Sequence, residues 1–324
     1  MELIQSVYIK PMLDALLANG APVEKHLCAV GLNCFKTHDP RAFLPASLVY
    51  ELFCRLDKSE LSSNSLHDLG SAYRLNNMGQ WGEVLLTAPN MLSAAIGASQ
   101  PEMTIISFNQ MDLEIDGPIA TIVDRYDFSD CRARRITEEF SCCLLLDSLA
   151  EFGGPQCRPL ILEVTGTVIP VHANVDLSQT KVRLCRPELR VSFPTHWLSN
   201  RLTYNIDSVP LKPDWETGTS CAERLTLLFD AMEDGSRPTL DFLLKQVNMS
   251  KRKLQRQLAQ EGTSFYELLD AWAMTSALDR IGDPAPIAEI SEMLGYSDPA
   301  HFTRAFKRWT GSTPATYRDQ LSAN

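Results

Sequence analysis

The C-terminal third of the chain constrains the fold most, because it contains the same local pattern twice. In each copy a short apolar-spaced helix is followed by a turn of three or four residues and then by a helix rich in cations. The first cationic helix is predicted to begin after Ser250 and to reach Glu261, and the second is predicted to begin after Asp298 and to end at Gly311. Ser and Asp are preferred at helix N-caps, and Gly is common just past a helix end. The doubled pattern predicts two helix-turn-helix units, about 48 residues apart.

Apolar spacing determines which side of each cationic helix faces outward. At roughly 100° per residue, Leu254 and Leu258 share one side of the first helix, and Phe302, Phe306 and Trp309 form the inward stripe of the second. Arg and Gln can bond base edges in two places, and a small residue permits close approach to a base. The outward positions are therefore the base-reading candidates, which are Arg252, Gln255 and Arg256 in the first helix and Ala300, Thr303 and Arg304 in the second.

Other polar residues of this region are better placed for phosphates, which position a protein without specifying sequence. These phosphate candidates are Lys251, Lys253, His301, Lys307, Arg308 and Arg318. Lys251 and Lys253 lie in the first turn of their helix, where the dipole disfavours a cation by roughly 0.3 to 1 kcal/mol. Phosphate contacts can offset that cost. A solvated helix face is the alternative for one such helix, but the second copy favours DNA binding.

Overall charge does not argue for nucleic acid, whereas local charge does. The 324 residues carry a net charge of -10, and residues 221–324 carry 12 Lys and Arg against 14 Asp and Glu. Residues 299–318, however, contain four Lys and Arg and no acid. The field at the contact face matters to a polyanion more than the sum does.

The organisation of the chain changes after about 200 residues. Apolar spacing near 3.6 predicts helices at 5–19, 46–58, 90–99 and 136–152. Alternation predicts strands within 104–127, with a turn at Asp116-Gly117-Pro118, and further strands within 159–193. The segment "LKPDWETGTS" is typical of a linker, and only helical patterns follow it. We therefore predict an α+β sensing and dimerisation domain at 1–205, a linker at 206–220 and an all-α DNA-binding domain at 221–324.

The C-terminal segment also resembles a known family. From Leu225 to Arg318 it is similar to the DNA-binding domain of AraC/XylS-type transcriptional regulators, most closely in "MSKRKLQRQLAQEGTSF" and "IAEISEMLGYSDPAHFTRAFKRWTGSTPATYR". The second stretch carries the family signature at Ile287, Glu289, Ile290, Gly295, Tyr296, Phe302, Arg304, Phe306, Lys307, Gly311, Pro314, Tyr317 and Arg318.

This resemblance implies two helix-turn-helix units joined by a rigid central helix, with recognition helices in successive major grooves. It places the base-reading residues at the same six positions as the helix faces do. Ala273 departs from the family, since members often carry Arg there, and this implies a missing phosphate contact. Pro299 and Ala300 replace polar residues of many members, which implies fewer bases read by the second unit.

The N-terminal region resembles more loosely the sensing region of the subgroup called arabinose-binding-like, through "KVRLCRPELRVSFPTHWL". That resemblance implies a homodimer and an effector pocket, without making arabinose the ligand. A dimerisation or protein-docking module without a small ligand is the alternative. Arg132, Arg134 and Arg135 are candidates for an acidic effector, although a solvated helix start is the favoured interpretation.

Several function classes lack their sequence signals. The chain has no HExxH, GxSxG, Gly-rich phosphate loop or GxGxxG, its six histidines do not cluster, and its nine cysteines form no CxxC. We expect no enzyme activity, no catalytic residues, no cofactor and no metal. Adjacent Cys142 and Cys143 leave a redox role open.

The remaining expectations concern location and partners. The N-terminus lacks the basic start and apolar stretch of a secretion signal, and no apolar run is long enough to span a bilayer, so we expect a cytoplasmic protein without membrane contact. The expected partners are double-stranded promoter DNA, a second copy of the chain, a possible small effector and, for an activator, RNA polymerase. The sequence leaves activation and repression open.

Overall fold

The structure is a computed structural model that describes residues 1–59, 75, 78–99, 109–126, 131–154, 157–166, 177–201, 220–235 and 237–322. Except for Ser220, the predicted linker 206–220 lies outside the described residues. The domain limits at 205 and 220 therefore stay predictions.

The N-terminal region mixes helices and strands, which confirms the predicted α+β class. Its elements are β1 (Leu3–Gln5), α1 (Lys10–Ala18), α2 (Val23–Val30), β2 (Phe43–Pro45), α3 (Ala46–Ser59), α4 (Gly79–Thr87), α5 (Met91–Ala98), β3 (Asn109–Asp116), β4 (Ile119–Tyr126), α6 (Cys131–Gly153), β5 (Ile161–Glu163), β6 (Lys181–Arg183) and β7 (Leu189–Pro194). The predicted helix at 5–19 is wrong over its first residues, which form the end of β1 and a short 3-10 helix, Ser6–Tyr8.

Five of these strands form one sheet in the order β3-β4-β7-β5-β6. All neighbours are antiparallel except β5 and β6. The β3–β4 hairpin closes at the predicted turn, where Gly117 has φ +55° and Asp116 pairs with Ile119. Strands β1 and β2 form a separate antiparallel pair.

Helix α6 is enclosed by the rest of the N-terminal region. Every residue from 141 to 149 is buried, and the helix contacts both α3 and β7. A helix buried on all sides needs no polar face, which explains the unbroken apolar run "CCLLL". Cys142 and Cys143 lie in this run and are therefore buried thiols. Within the described residues, no helix combines the length and the apolarity that crossing a membrane requires.

Charged side chains on the sheet neutralise one another. Arg125 contacts Asp112, Glu114 and Glu188, with its Nε 2.7 Å from the Glu188 carboxylate. Burial opposes ionisation of Glu188, but the hydrogen bonds and charges of Arg125 and Arg190 hold the pKa of its carboxyl below the usual value. These cations are engaged with carboxylates of the same sheet.

The C-terminal region is all helical, as predicted. Its helices are α7 (Cys221–Asp230), α8 (Leu240–Gln246), α9 (Lys251–Gln260), α10 (Phe265–Ile281), α11 (Ile287–Met293), α12 (Pro299–Thr310) and α13 (Pro314–Ser322). Ser220, Thr239, Ser250, Ser264 and Asp298 each accept a hydrogen bond from a backbone N–H of the helix that follows. Such caps satisfy donors that a helix start otherwise leaves unpaired.

Two apolar cores divide the C-terminal helices. Leu254, Leu258 and Phe265 belong to a continuous cluster that also contains the N-terminal core. Phe302 and Phe306 belong to a separate cluster that includes the end of α10. The pair α8–α9 is therefore packed with the N-terminal region, whereas the pair α11–α12 has a core of its own.

The second core predicts a specific loss of stability. Phe306 is fully buried, so Phe306→Ala should lower the free energy of opening of α12 by about 3 to 5 kcal/mol. Hydrogen exchange of the α12 amides measures that energy. Tyr266, 67% exposed on α10, is the aromatic control, and Tyr266→Ala should change it by less than about 0.5 kcal/mol. Equal losses in both variants would contradict the assignment of Phe306 to this core.

Candidate nucleic-acid interface

The first helix pair, α8 and α9, meets at a tight turn. Asn248 has φ +47° in this turn, a left-handed conformation that Asn tolerates better than most residues. Ser250 then caps α9 by accepting from Lys253 N at 3.3 Å. Leu254 and Leu258 are each 1% exposed, so one side of α9 is fixed against the core.

The predicted DNA-contacting residues of α9 all lie on its exposed side. They are Lys251, Arg252, Lys253, Gln255 and Arg256. Among the described residues, none of their side chains takes part in a hydrogen bond or an ion pair. The structure thus gathers three base-reading candidates and two phosphate candidates on one unoccupied polar face.

The second helix pair, α11 and α12, repeats this layout. Gly295 turns the chain with φ +70°, and Asp298 Oδ1 accepts from Ala300 N at 2.8 Å to cap α12. Phe302 and Phe306 are fully buried on the inner side of α12. The outer side of α12 carries the candidate residues of the second unit.

The candidates on α12 differ in how available they are. Ala300, Arg304 and Lys307 are exposed. Thr303 is half-buried, and its Oγ1 donates to Pro299 O at 2.9 Å. His301 is exposed, with Nε2 3.9 Å from Asp298 Oδ2. The most accessible candidates on α12 are therefore Ala300, Arg304 and Lys307.

Two predicted phosphate contacts already have protein partners. Arg308 Nη2 lies 2.6 Å from Asp270 Oδ2 on α10. Arg318 Nε donates to Ile281 O at 2.8 Å, at the C-terminal end of α10. Arg308 is exposed and can exchange its carboxylate for a phosphate, whereas half-buried Arg318 supports the fold. The sequence did not indicate Asp270 as a partner of Arg308, because no local pattern links two residues that lie 38 positions apart in the chain.

Ala273 has a structural explanation. It is fully buried on α10, so a longer side chain at this position would meet the core first. Its neighbour Trp272 donates Nε1 to Asp230 Oδ1 at 2.8 Å. Burial raises the pKa of Asp230, and the bond from Trp272 and the charge of Lys36 oppose that rise.

The described residues of the N-terminal region provide two features that bear on a small effector. A cavity of about 30 Å³ lies among α4, α5, β3, β4 and α6, where sites for small ligands usually measure roughly 300 Å³ or more. Its lining is apolar and includes Trp81, Met91, Met111, Ile122, Leu145 and Phe152. Of the three arginines at the start of α6, Arg134 donates to Pro187 O at 2.6 Å. The side chains of Arg132 and Arg135 lie outside the described residues.

Known proteins are similar to the C-terminal part of the chain. Residues 243–320 match the family described as "Helix-turn-helix domain". The HTH-type transcriptional regulator VqsM of Pseudomonas aeruginosa is 33% identical over 100 residues, which cover 31% of this chain and 30% of that protein. The ornithine utilization regulator of the same organism is 35% identical over 86 residues, which cover 26% and 25%. The match thus spans less than a third of either relative.

One solved structure is similar along nearly the whole chain. The crystal structure of the transcriptional regulator CdpR from Pseudomonas aeruginosa has 18% sequence identity and a TM-score of 0.43, over 97% of this chain and 98% of that one.

The cap of α12 predicts a loss of stability at the start of that helix. Asp298→Ala removes the acceptor for Ala300 N and should destabilise α12 by about 0.5 to 2 kcal/mol. Hydrogen exchange at the first turn of α12 checks this. Asp319→Ala, on the exposed side of α13, removes the same charge without a cap and should leave that turn unchanged. Equal effects would mean that charge, not capping, is responsible.

Proposed function

We propose that this chain, whose residues 243–320 form a helix-turn-helix domain of the AraC type, is a sequence-specific DNA-binding transcriptional regulator. Both helix pairs, α8–α9 and α11–α12, act as helix-turn-helix units. The helices α9 and α12 enter successive major-groove segments of a promoter. The relatives, which are named as regulators, support this reading in the matched region.

One observation carries the proposal. On both α9 and α12, cations and small or polar residues face solvent directly opposite a fully packed apolar stripe. In the first unit Arg252, Gln255 and Arg256 are exposed, and their side chains take part in no hydrogen bond or ion pair among the described residues. In helix-turn-helix proteins, the helix that follows a short helix and a turn presents its exposed polar side chains to base edges.

The residues divide by task. Arg252, Gln255 and Arg256, with Ala300, Thr303 and Arg304, read bases. Lys251, Lys253, His301 and Lys307 contact phosphates. Arg308 and Arg318 contribute to phosphate binding only where they release Asp270 and Ile281. Because Thr303 donates its hydroxyl to Pro299, the second unit reads fewer bases than the first.

The N-terminal region supplies the second half of the proposed mechanism. It forms a homodimer, so that one promoter is held by two chains, and it receives a small effector. If the protein is an activator, RNA polymerase is a further partner. The second candidate function keeps the DNA binding but makes this region a dimerisation or docking module without a small ligand.

Binding to DNA tests the proposal directly. Sequences bound by the full chain are selected from random DNA, and affinity for the selected site is compared with random DNA at about 50 and 200 mM salt. We expect a clear preference and a loss of roughly 0.9 log units of affinity per log unit of salt for each phosphate neutralised. Equal affinity for selected and random DNA would refute the proposed function.

The division of tasks gives a matched pair of variants. Arg256→Ala should cost about 1 to 3 kcal/mol on the selected site and relax the preference at one base position. Lys307→Ala should weaken all sequences similarly and reduce the salt slope by about 1. Affinity profiles over single-base variants of the site separate the two effects. Identical profiles would show that the division is wrong.

The ion pair between Asp270 and Arg308 predicts a gain of binding. Asp270→Asn should free Arg308 for a phosphate, steepen the salt slope by about 0.9 and tighten binding to random DNA. Asp279→Asn is the control, because it removes the same charge from an exposed position of α10 that has no cation partner among the described residues. If both variants tighten binding equally, only the long-range field has changed.

A further inference from the structure

The N-terminal region is joined to the C-terminal region by backbone hydrogen bonds. Lys36 N donates to Ala231 O at 2.7 Å, and Glu233 N donates to Cys34 O at 3.0 Å. Phe35 and Met232 thereby form an antiparallel β-bridge. The C-terminal partner is the loop after α7, and we name Ala231 to Gly235 together with Arg237 the clasp. Two backbone bonds fix the direction as well as the distance between the two segments.

Side chains reinforce the bridge on the N-terminal side of the clasp. Phe35 is 1% exposed, and its ring stacks on Phe242 of α8 with centroids 6.3 Å apart. Lys36 Nζ lies 3.3 Å from Asp234 Oδ1 and 3.4 Å from Asp230 O. Both kinds of contact are local to the clasp and to the first helix pair. The clasp is therefore held by the N-terminal region through packing, hydrogen bonds and charge.

The opposite side of the clasp contacts the second helix pair. Gly235 N donates to Met293 O at 2.8 Å, at the end of α11. The Arg237 guanidinium lies 4.2 Å from the centre of the Tyr296 ring, a cation–π arrangement. Tyr296 in turn contacts Phe302 of α12, with ring centroids 5.5 Å apart. A chain of direct contacts thus runs from the clasp to the second cationic helix.

Gly295 shows how close this approach is. Its φ is +70°, and a Cβ added there would lie 2.5 Å from Arg237 N. A side chain therefore does not fit unless the clasp or the turn before α12 moves. The turn of the second helix pair is pressed directly onto the backbone of the clasp.

We propose that the clasp couples the N-terminal region to the placement of the second helix pair relative to the first, with Arg237 and Gly295 as positioning residues. This inference rests on the proposed function, because relative placement matters when two helices must fit groove segments roughly 34 Å apart. The clasp leaves the DNA-facing side of α9 exposed. It therefore acts on the spacing of the two units and leaves access to DNA open.

The first test uses no DNA. In the full chain, Phe35→Leu keeps most of the apolar volume but loses the stacked ring, and Lys36→Met loses the ion pair with Asp234 and the hydrogen bond to Asp230 O. Hydrogen exchange at Gly295 and Tyr296 should become about two- to fivefold faster in Lys36→Met, and at least as fast in Phe35→Leu. Unchanged exchange at this turn in both variants would overturn the coupling, whatever the chain binds.

The second test uses the selected DNA site and two versions with one half scrambled. Arg237→Met should weaken binding to the complete site about tenfold and to each half less than about twofold, since only the alignment of the units is lost. Arg237→Lys, which keeps the cation, should restore most of the affinity. Equal losses on complete and half sites would overturn the positioning role, because a contact with DNA or a general loss of fold gives that result.

A double-mutant cycle tests whether the two sides of the clasp act together. The effects of Phe35→Leu and Arg237→Met on complete-site affinity should be non-additive, because both act through one loop. Additive effects would overturn the proposal. Absence of any sequence preference in the unaltered chain would instead refute the proposed function, and the exchange result at Gly295 and Tyr296 would still decide the coupling.

Discussion

The burial of one apolar stripe on each cationic helix is the interaction on which the C-terminal region depends. Leu254 and Leu258 on α9 are 1% exposed. Burying two such side chains contributes roughly 3 to 6 kcal/mol, whereas three cations in the first helical turn cost about 1 to 3 kcal/mol. Burial therefore sets the rotation of the helix. Once that rotation is fixed, the cations necessarily face solvent, where they can bind a polyanion.

Features controlled by a few neighbouring residues could be predicted from the sequence. The caps at Ser250 and Asp298 depend on one side chain and the backbone within three residues of it, and both helices begin after these residues, as predicted. The Gly117 turn is equally local. Elements that depend on distant contacts were missed. The strand Leu3–Gln5 forms because it pairs with Phe43–Pro45, and no local sequence pattern indicates that partner.

The same limit applies to the candidate site. Helical periodicity predicted which side of α9 and α12 carries the cations, and the exposed residues agree with it. Periodicity does not show whether a cation is already engaged. Arg308 pairs with Asp270, and Arg318 donates to the end of α10. In sequence both look no different from Arg256, which takes part in no hydrogen bond or ion pair within the part of the chain that the structure describes. The charge of a residue is evident from the sequence, but its neighbours in the folded structure determine whether that charge is available to bind DNA.

The unequal packing of the two helix pairs has a mechanical consequence. The first pair shares its core with the N-terminal region, so moving it requires breaking a continuous apolar cluster. The second pair has its own core, held to the rest by α10, by the Arg308–Asp270 pair and by the clasp. Interfaces made of few polar contacts rearrange at lower free energy than packed cores do. An adjustment between the two recognition helices is therefore least costly at the second pair, where Arg237 and Gly295 meet, and the first pair acts as the fixed reference.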